Sequence, residues 1–262
     1  MKKIITALDP IDSPWPVIRF ATHFAKNYSA SIHLVFLVLP QADLDYSYPF
    51  PNDLSIAEEI PDQKKISESN DQLIEDSTSL FRQECESSGI NFSFNKKVSA
   101  EELIKKTADA DILIADKGAN FLQKVLPHLH CPAIVANEDN LPEQAVLMFN
   151  NSTSSKFAID SYISLLPEFK NLATYLLSIN PDEEKENESY LPKLKSSFTD
   201  ISYKSLHGNE EQKTSDFLSG LSGRVLVVMG AFGRSGISRF FHKSLANSVV
   251  KEDNVSLFIA HK

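Results

Sequence analysis

The feature that most constrains the fold of this chain is a pattern of residues that occurs twice. Residues 4–8 form an apolar, β-branched run typical of a buried strand, and a polar turn and a segment with helical spacing follow it. Residues 146–149 are followed by the same signals, and Asn150 takes the place that Asp9 has 141 positions earlier (150 − 9 = 141). A chain of 262 residues has the length of two ordinary domains. We therefore predict domains at 1–140 and 141–262.

Both copies continue with alternating strand and helix signals. The predicted strands are 4–8, 32–39, 91–98, 111–115 and 133–136 in the first copy, and 146–149, 173–179, 201–205, 224–229 and 256–260 in the second. The predicted helices lie between them, around 17–28, 71–85 and 100–107, and around 158–169, 191–197 and 211–221. Such alternation predicts parallel sheets with helices on both faces. The expected fold class is α/β, with two tandem doubly wound domains that each have a five-stranded parallel sheet.

A glycine-rich turn follows the fourth predicted strand of the second copy. The strand leads into Gly230 and Gly233, and a segment with helical spacing comes after them at Leu245, Val249 and Val250. Glycines let a backbone approach a phosphate closely, and the start of a helix offers unpaired N–H groups and a positive dipole end. The segment therefore predicts an anion site. Arg234 and Ser235 add possible side-chain or backbone donors.

The spacing of this turn resembles the nucleotide loop of the universal stress proteins, which reads Gly, two residues, Gly, nine residues, Gly, then Ser or Thr. Gly230, Gly233 and Ser244 match this pattern, whereas Lys243 stands at the third glycine. Together with the order of elements, the loop makes essentially the whole chain similar to a tandem universal stress protein. The resemblance implies the adenine-nucleotide α-hydrolase-like version of the fold. It also implies that the ligand is ATP or a related adenine nucleotide, which could bind together with magnesium.

The resemblance also assigns roles to residues. In open parallel sheets, ligands bind beyond the carboxyl ends of the strands at the topological switch point, where Asn150 and Gly230 should converge. Asn150 takes the place of a family aspartate that faces the nucleoside, and Gly230, Gly233 and Ser244 would surround the phosphates and ribose. Lys243 could contact a phosphate, fill the site or be solvated. The alternative for the glycines is that they only permit a tight turn and close packing.

The first copy differs at the corresponding loop. Ala115 and Ala133 are 18 positions apart, whereas the equivalent Met229 and Leu257 are 28 apart (133 − 115 and 257 − 229). The short loop also begins with Asp116, whose charge would repel a phosphate. We predict that the first nucleotide site is lost or altered and that one nucleotide binds, in the second domain.

Composition excludes several classes of function. A net charge of −9 argues against a nucleic-acid partner. No apolar run reaches the length of a membrane span, and Cys85 and Cys131 have no metal-binding spacing. We expect a cytoplasmic protein with no membrane partner and no metal site. No catalytic residues are identifiable, so slow ATP hydrolysis is the most that we expect.

Two other readings of function stay open. A protein of the same fold that binds no nucleotide could act as a scaffold for an unknown protein partner. An enzyme of the wider fold is the third reading, although residues 150–154 lack the glycines of a pyrophosphate loop after the first strand.

The last strand of each copy would leave an exposed edge if it were not covered. Family members commonly dimerise through this strand. We therefore predict that the two domains pair with each other around residues 131–136 and 255–260, and a homodimer of whole chains stays open. Residues 41–68 are predicted to be a surface excursion or lid.

Overall fold

The computed structural model of the chain describes residues 2–10, 14–37, 63–119, 121–137, 141–181, 190–230 and 254–261, with the backbone alone for 63–69. Within these ranges, ten strands and seven α-helices alternate along the chain. The strands are β1 (Lys3–Leu8), β2 (Ser31–Leu37), β3 (Phe92–Val98), β4 (Ile112–Asp116), β5 (Ala133–Ala136), β6 (Gln144–Met148), β7 (Ala173–Ile179), β8 (Ile201–Leu206), β9 (Val225–Gly230) and β10 (Val255–Ala260). The helices are α1 (Trp15–Tyr28), α2 (Gln63–Ser87), α3 (Ala100–Thr107), α4 (Leu122–Val125), α5 (Thr153–Leu165), α6 (Tyr190–Ser197) and α7 (Glu210–Ser219).

The ten strands form one sheet in the order β3-β2-β1-β4-β5-β10-β9-β6-β7-β8. Followed from its outer edge to the centre of the sheet, each half has the same strand order, because β6 to β10 take the places of β1 to β5. Pairing is parallel within each half. The predicted fold class, α/β with two tandem doubly wound units, is confirmed. The domain boundary at 140 stays a prediction.

The two halves meet where β5 and β10 pair antiparallel, with Leu257 opposite Val135 and Phe258 opposite Ile134. All six residues of β10 are buried. The predicted pairing of the two terminal strands is therefore confirmed. Without this pairing, β5 and β10 would each be an exposed edge strand of a separate sheet.

Helices cover both faces of the sheet and create two apolar layers. One layer includes side chains of α1, α2, α5 and α6, and the other includes side chains of α3, α4 and α7. Each layer runs across the junction between the halves. Strand β9 shows why the strands read as continuous apolar runs, because Leu226 and Val228 enter one layer while Val225 and Val227 enter the other.

The predicted elements agree with the structure to within a few residues, with two corrections. Helix α5 ends at Leu165 instead of continuing to Phe169, because the residue before Pro167 is kept out of the helical region and a 3-10 turn, Pro167–Asn171, follows. Helix α2 begins at Gln63, so the last six residues of the predicted excursion are helical. Residues 41–62 lie outside the described residues.

Candidate functional site

Strands β6 and β9 are parallel neighbours, with Gln144 opposite Val225 and Leu147 opposite Val228. Their carboxyl ends therefore lie at the same edge of the sheet. Asn150 follows the first of these strands and Gly230 ends the second. This is the topological switch point of the second half, where ligands bind in sheets of this kind.

Asn150 begins a tight turn that leads into helix α5. Its Oδ1 atom accepts a hydrogen bond from the backbone N–H of Ser152 at 3.2 Å, and Asn151 has a left-handed backbone with φ of 59°. Ser152 is the N-cap of α5, because its Oγ atom accepts from the N–H of Ser155 at 3.1 Å. A carboxylate at position 150 would accept the same bond. Asparagine at this position therefore forms the same turn as an aspartate would, without the negative charge.

Gly230 lies directly against the first turn of α5. A Cβ atom built on Gly230 would be 2.4 Å from the carbonyl oxygen of Ser154 and 2.6 Å from its Oγ atom. Any side chain there would collide with backbone, so the close approach of β9 to α5 requires glycine. This contact gives Gly230 a packing role in the described residues. Its role at a phosphate stays a prediction.

The first turn of α5 is favourable for a negative charge. It contains no acidic residue, and Lys156 lies within it. The N–H groups at the start of a 13-residue helix carry the positive end of its dipole. The end of β9, which the glycine-rich segment follows in the sequence, is in contact with this turn.

The other predicted site residues cannot be placed against this edge. Gly233, Arg234, Ser235, Lys243 and Ser244 all lie in the segment 231–250, which is outside the described residues. The described part of the site consists of Asn150, Gly230 and the start of α5.

An aromatic pair that the sequence did not indicate packs beside Asn150 and the first turns of α5. The rings of Phe149 and Tyr190 are stacked, with centroids 5.7 Å apart, and both side chains are buried. The Tyr190 hydroxyl donates to the carbonyl oxygen of Lys156 at 3.2 Å and lies 3.3 Å from Oδ1 of Asp160. Burial, and then the Asp160 carboxylate, raise the pKa of Tyr190. These contacts fasten α6 to α5 and fix the residue that precedes Asn150.

The corresponding edge of the first half has a different structure. Asp116 closes a tight turn after β4, because its Oδ1 atom accepts from the N–H of Gly118 at 2.7 Å. The N–H of Lys117 donates to the Ala136 carbonyl at 2.8 Å. Phe121 then enters the apolar layer with no exposed surface. The short connection thus folds back onto the sheet, and its acidic side chain is used within the turn.

The described residues include neither a metal-binding cluster nor a membrane-spanning helix. In that part of the chain, no group of three or more His, Cys, Asp or Glu side chains is placed to hold a metal ion. No helix there is both long and apolar enough to cross a membrane.

Solved structures share this architecture over nearly the full chain. A universal stress protein from Archaeoglobus fulgidus has a TM-score of 0.65 and 13% identity, with 98% of each chain covered. A putative universal stress protein from Pseudomonas aeruginosa has a TM-score of 0.60 and 13% identity, and covers 100% of this chain and 93% of that chain. The chain has the universal stress protein fold.

Other proteins also use this fold. The cytoplasmic domain of a prokaryotic cation chloride cotransporter has a TM-score of 0.51 and 12% identity, and covers 98% of this chain and 94% of that chain. No family model and no curated protein matches the sequence. At these identities the universal stress protein fold is shared, and function must be argued from the residues of the site.

Proposed function

We propose that this chain binds one adenine nucleotide, ATP, at the switch point of its second half and acts as a regulatory protein of the cytoplasmic stress response. The observation that carries the proposal is the contact between Gly230 and the backbone of Ser154. It brings the end of β9, where the glycine-rich segment begins, against the N-terminal turn of α5. Phosphates bind well at such a junction of glycine-rich backbone and helix N-terminus.

Each predicted residue has a role in this proposal. The side chain of Asn150 faces the nucleoside, and Gly233 and Ser244 surround the phosphates. Arg234 and Ser235 donate hydrogen bonds, and Lys243 replaces the family's third glycine with a positive charge. The dipole of α5 stabilises a negative charge at the start of the helix by about 0.3–1 kcal/mol.

Magnesium would accompany the phosphates rather than occupy a protein site of its own. The described residues hold no cluster of carboxylates at this edge. Mg²⁺ commonly keeps several waters and binds through phosphate oxygens with few protein ligands. In this proposal the residues of this edge bind and orient a nucleotide.

A scaffold that binds no nucleotide is the second candidate, and one observation favours it. The packing against Ser154 is sufficient to explain why position 230 is glycine. The same fold also occurs in the cytoplasmic domain of a cotransporter. In this reading the fold acts through protein contacts, and Asn150 serves only to close the turn before α5.

The affinity for ATP of variants in the glycine segment distinguishes the two candidates. In Gly233→Val a side chain would fill the space of the phosphates, so we expect at least a tenfold loss of affinity by calorimetry in a folded protein. Gly220→Ala is the matched control, because a Cβ there meets its nearest neighbour at 3.4 Å. Unchanged affinity in Gly233→Val would contradict the proposed site.

Lys243→Gly tests the departure from the family pattern. Weaker binding than in the unmodified protein would assign the ammonium group to a phosphate. Tighter binding would show that the lysine obstructs the site, and both results require that ATP binds there. The absence of any heat or thermal shift at millimolar ATP in the unmodified protein would favour the scaffold.

A further inference from the structure

A chain of hydrogen bonds joins three polar side chains near the amino ends of β2 and β3, on the outermost strands of the first half, and four strands separate β2 from β9 of the candidate nucleotide site. His33 lies opposite Ser93 in the parallel register, and Val35 lies opposite Asn95. Because alternate residues of a strand share a face, Ser93 and Asn95 project to the same side of the sheet. This is the side covered by α3, which contributes Lys106.

The distances define a continuous relay. Nδ1 of His33 is 2.8 Å from Oγ of Ser93, and Nε2 of His33 is 3.0 Å from Oδ1 of Asn95. Nζ of Lys106 is 3.1 Å from the same Asn95 oxygen. All three separations are those of good hydrogen bonds.

The tautomer of His33 follows from these partners. An ammonium group only donates, so the atom of Asn95 that faces Lys106 is the carbonyl oxygen. That oxygen accepts, and therefore Nε2 of His33 carries the hydrogen. Nδ1 is then the unprotonated nitrogen, and it accepts the hydroxyl hydrogen of Ser93. The arrangement is a serine hydroxyl, an imidazole base and an amide that orients the base.

The protonation state of His33 suits a base. Burial lowers the pKa of His33 most, and the ammonium groups of Lys106 and Lys3 lower it further, against a smaller opposing effect of the hydrogen bond to Asn95. These groups come from α3, β1 and β3, the elements around His33. This direction favours the neutral imidazole that a base requires, and the side chain of Ser93 is exposed to solvent.

We propose that Ser93 is a nucleophile activated by His33 and that it takes acyl groups from activated carboxylic esters. Ser93 and His33 would be the catalytic residues, and Asn95 would be a positioning residue. This inference does not depend on nucleotide binding in the second half of the sheet.

The step is an ordinary acyl transfer. Oγ of Ser93 forms a bond to the carbonyl carbon of the ester while its proton passes to Nδ1 of His33. The bond from that carbon to the leaving oxygen then breaks, and His33 returns the proton to the leaving alcohol. A water molecule then attacks the carbonyl carbon of the acylated serine while His33 accepts its proton. The bond to Oγ of Ser93 breaks, His33 returns the proton to that oxygen, and the carboxylic acid is released.

Two probes test this activity, namely a fluorophosphonate that labels activated serines and 4-nitrophenyl acetate. We expect one label per chain at Ser93 by mass spectrometry, and a burst of nitrophenolate. Both should disappear in Ser93→Ala. Ser202→Ala is the matched control, because Ser202 is exposed on the edge strand β8 opposite Tyr175, with no histidine there. Equal labelling in Ser93→Ala, or labelling elsewhere, would overturn the proposal.

The role of the base is tested separately from the fold. His33→Gln can still form hydrogen bonds but cannot accept a proton at neutral pH, so the rate should fall at least tenfold. In the unmodified protein the rate should be constant around and above pH 7, and it should fall at a pH below the ordinary imidazole value of about 6.5, because the pKa of His33 is lowered. In Asn95→Asp the carboxylate would raise the pKa of His33 and shift this fall to higher pH. A network that only fastens β3 would leave the rate of His33→Gln and the pH profile of Asn95→Asp unchanged.

Discussion

The hydroxyl of Tyr28 donates a hydrogen bond to the carboxylate of Glu168, although the two residues are 140 positions apart. Tyr28 ends helix α1 of the first half, and Glu168 lies in the 3-10 turn after α5 of the second half. Nε2 of His23 is 3.6 Å from the same carboxylate, and its ring stacks on that of Phe169 at 6.1 Å. This cluster joins the halves in the helical layer, as β5 and β10 join them in the sheet.

Replacing Glu168 should weaken the junction in a pH-dependent way. Burial raises the pKa of Glu168, but the nearby His23 side chain and the hydrogen bond from Tyr28 outweigh this effect and leave the pKa below its usual value. A depressed carboxyl pKa stabilises the fold above the unfolded pKa, and this stability is lost as the pH falls through the folded value. We expect Glu168→Gln to lower the free energy of unfolding by about 1–2 kcal/mol at pH 7.

Denaturant unfolding between pH 3 and pH 8 would measure this effect. The difference in the free energy of unfolding between the variant and the unmodified protein should be constant above about pH 5 and shrink below about pH 4. Glu86→Gln, an exposed carboxylate on α2, is the control and should show little difference at any pH. A difference for Glu168→Gln that persisted at pH 3 would show that the charge is not what stabilises the junction.

Gly230→Ala should destabilise the second half. The new Cβ would lie 2.4 Å from the carbonyl oxygen of Ser154, so β9 and α5 would have to separate. Overpacking of this kind costs about 1–3 kcal/mol. Thermal unfolding of Gly230→Ala and of the control Gly220→Ala would measure the cost, and equal melting temperatures would show that the contact is easily relaxed.

The repeat made most of the fold predictable. The strands of each copy could be identified because buried parallel strands are continuous apolar runs, such as 225–229. The pairing of β5 with β10 could be predicted because both would otherwise be exposed edges. The end of α5 was placed four residues too late, because Phe169 keeps the helical spacing although Pro167 ends the helix.

Phe258 should be important for the stability of both halves. Its ring is fully buried in β10 and makes an edge contact with Tyr162 at 5.7 Å. Phe258→Ala should cost about 3–5 kcal/mol, as for other large-to-small changes in a core. Tyr203→Ala on the edge strand β8, where the side chain is 40% exposed, is the control. Chemical denaturation should show the large loss only for Phe258→Ala, and similar small losses would contradict the central role of β10.

Both cysteines should be unreactive in the folded protein. Burial raises the pKa of Cys85 to about 11 and that of Cys131 to about 12, and the thiolate is the reactive form. Ellman's reagent at pH 8 should detect two thiols per chain in denaturant and almost none within minutes in native buffer. A thiol that reacted within seconds in native buffer would show that one of these layers opens readily.

The candidate site could be predicted only in part. The sequence placed Asn150 and Gly230 at one edge, because each directly follows or ends a strand whose neighbours are fixed by the fold. It could not show that Ser154 occupies the space beside Gly230, since that contact depends on the angle between β9 and α5. The relay of Ser93, His33 and Asn95 also escaped sequence analysis, because only the register of β2 and β3 brings these residues together.

The stoichiometry of ATP binding tests the central claim most directly. Calorimetric titration of the intact chain with ATP and magnesium should give one nucleotide per chain. The second half brings β9 against the start of α5, whereas the first half closes its loop around Asp116. Two nucleotides per chain would show that the first half also binds, and no binding at millimolar ATP would contradict the proposed function.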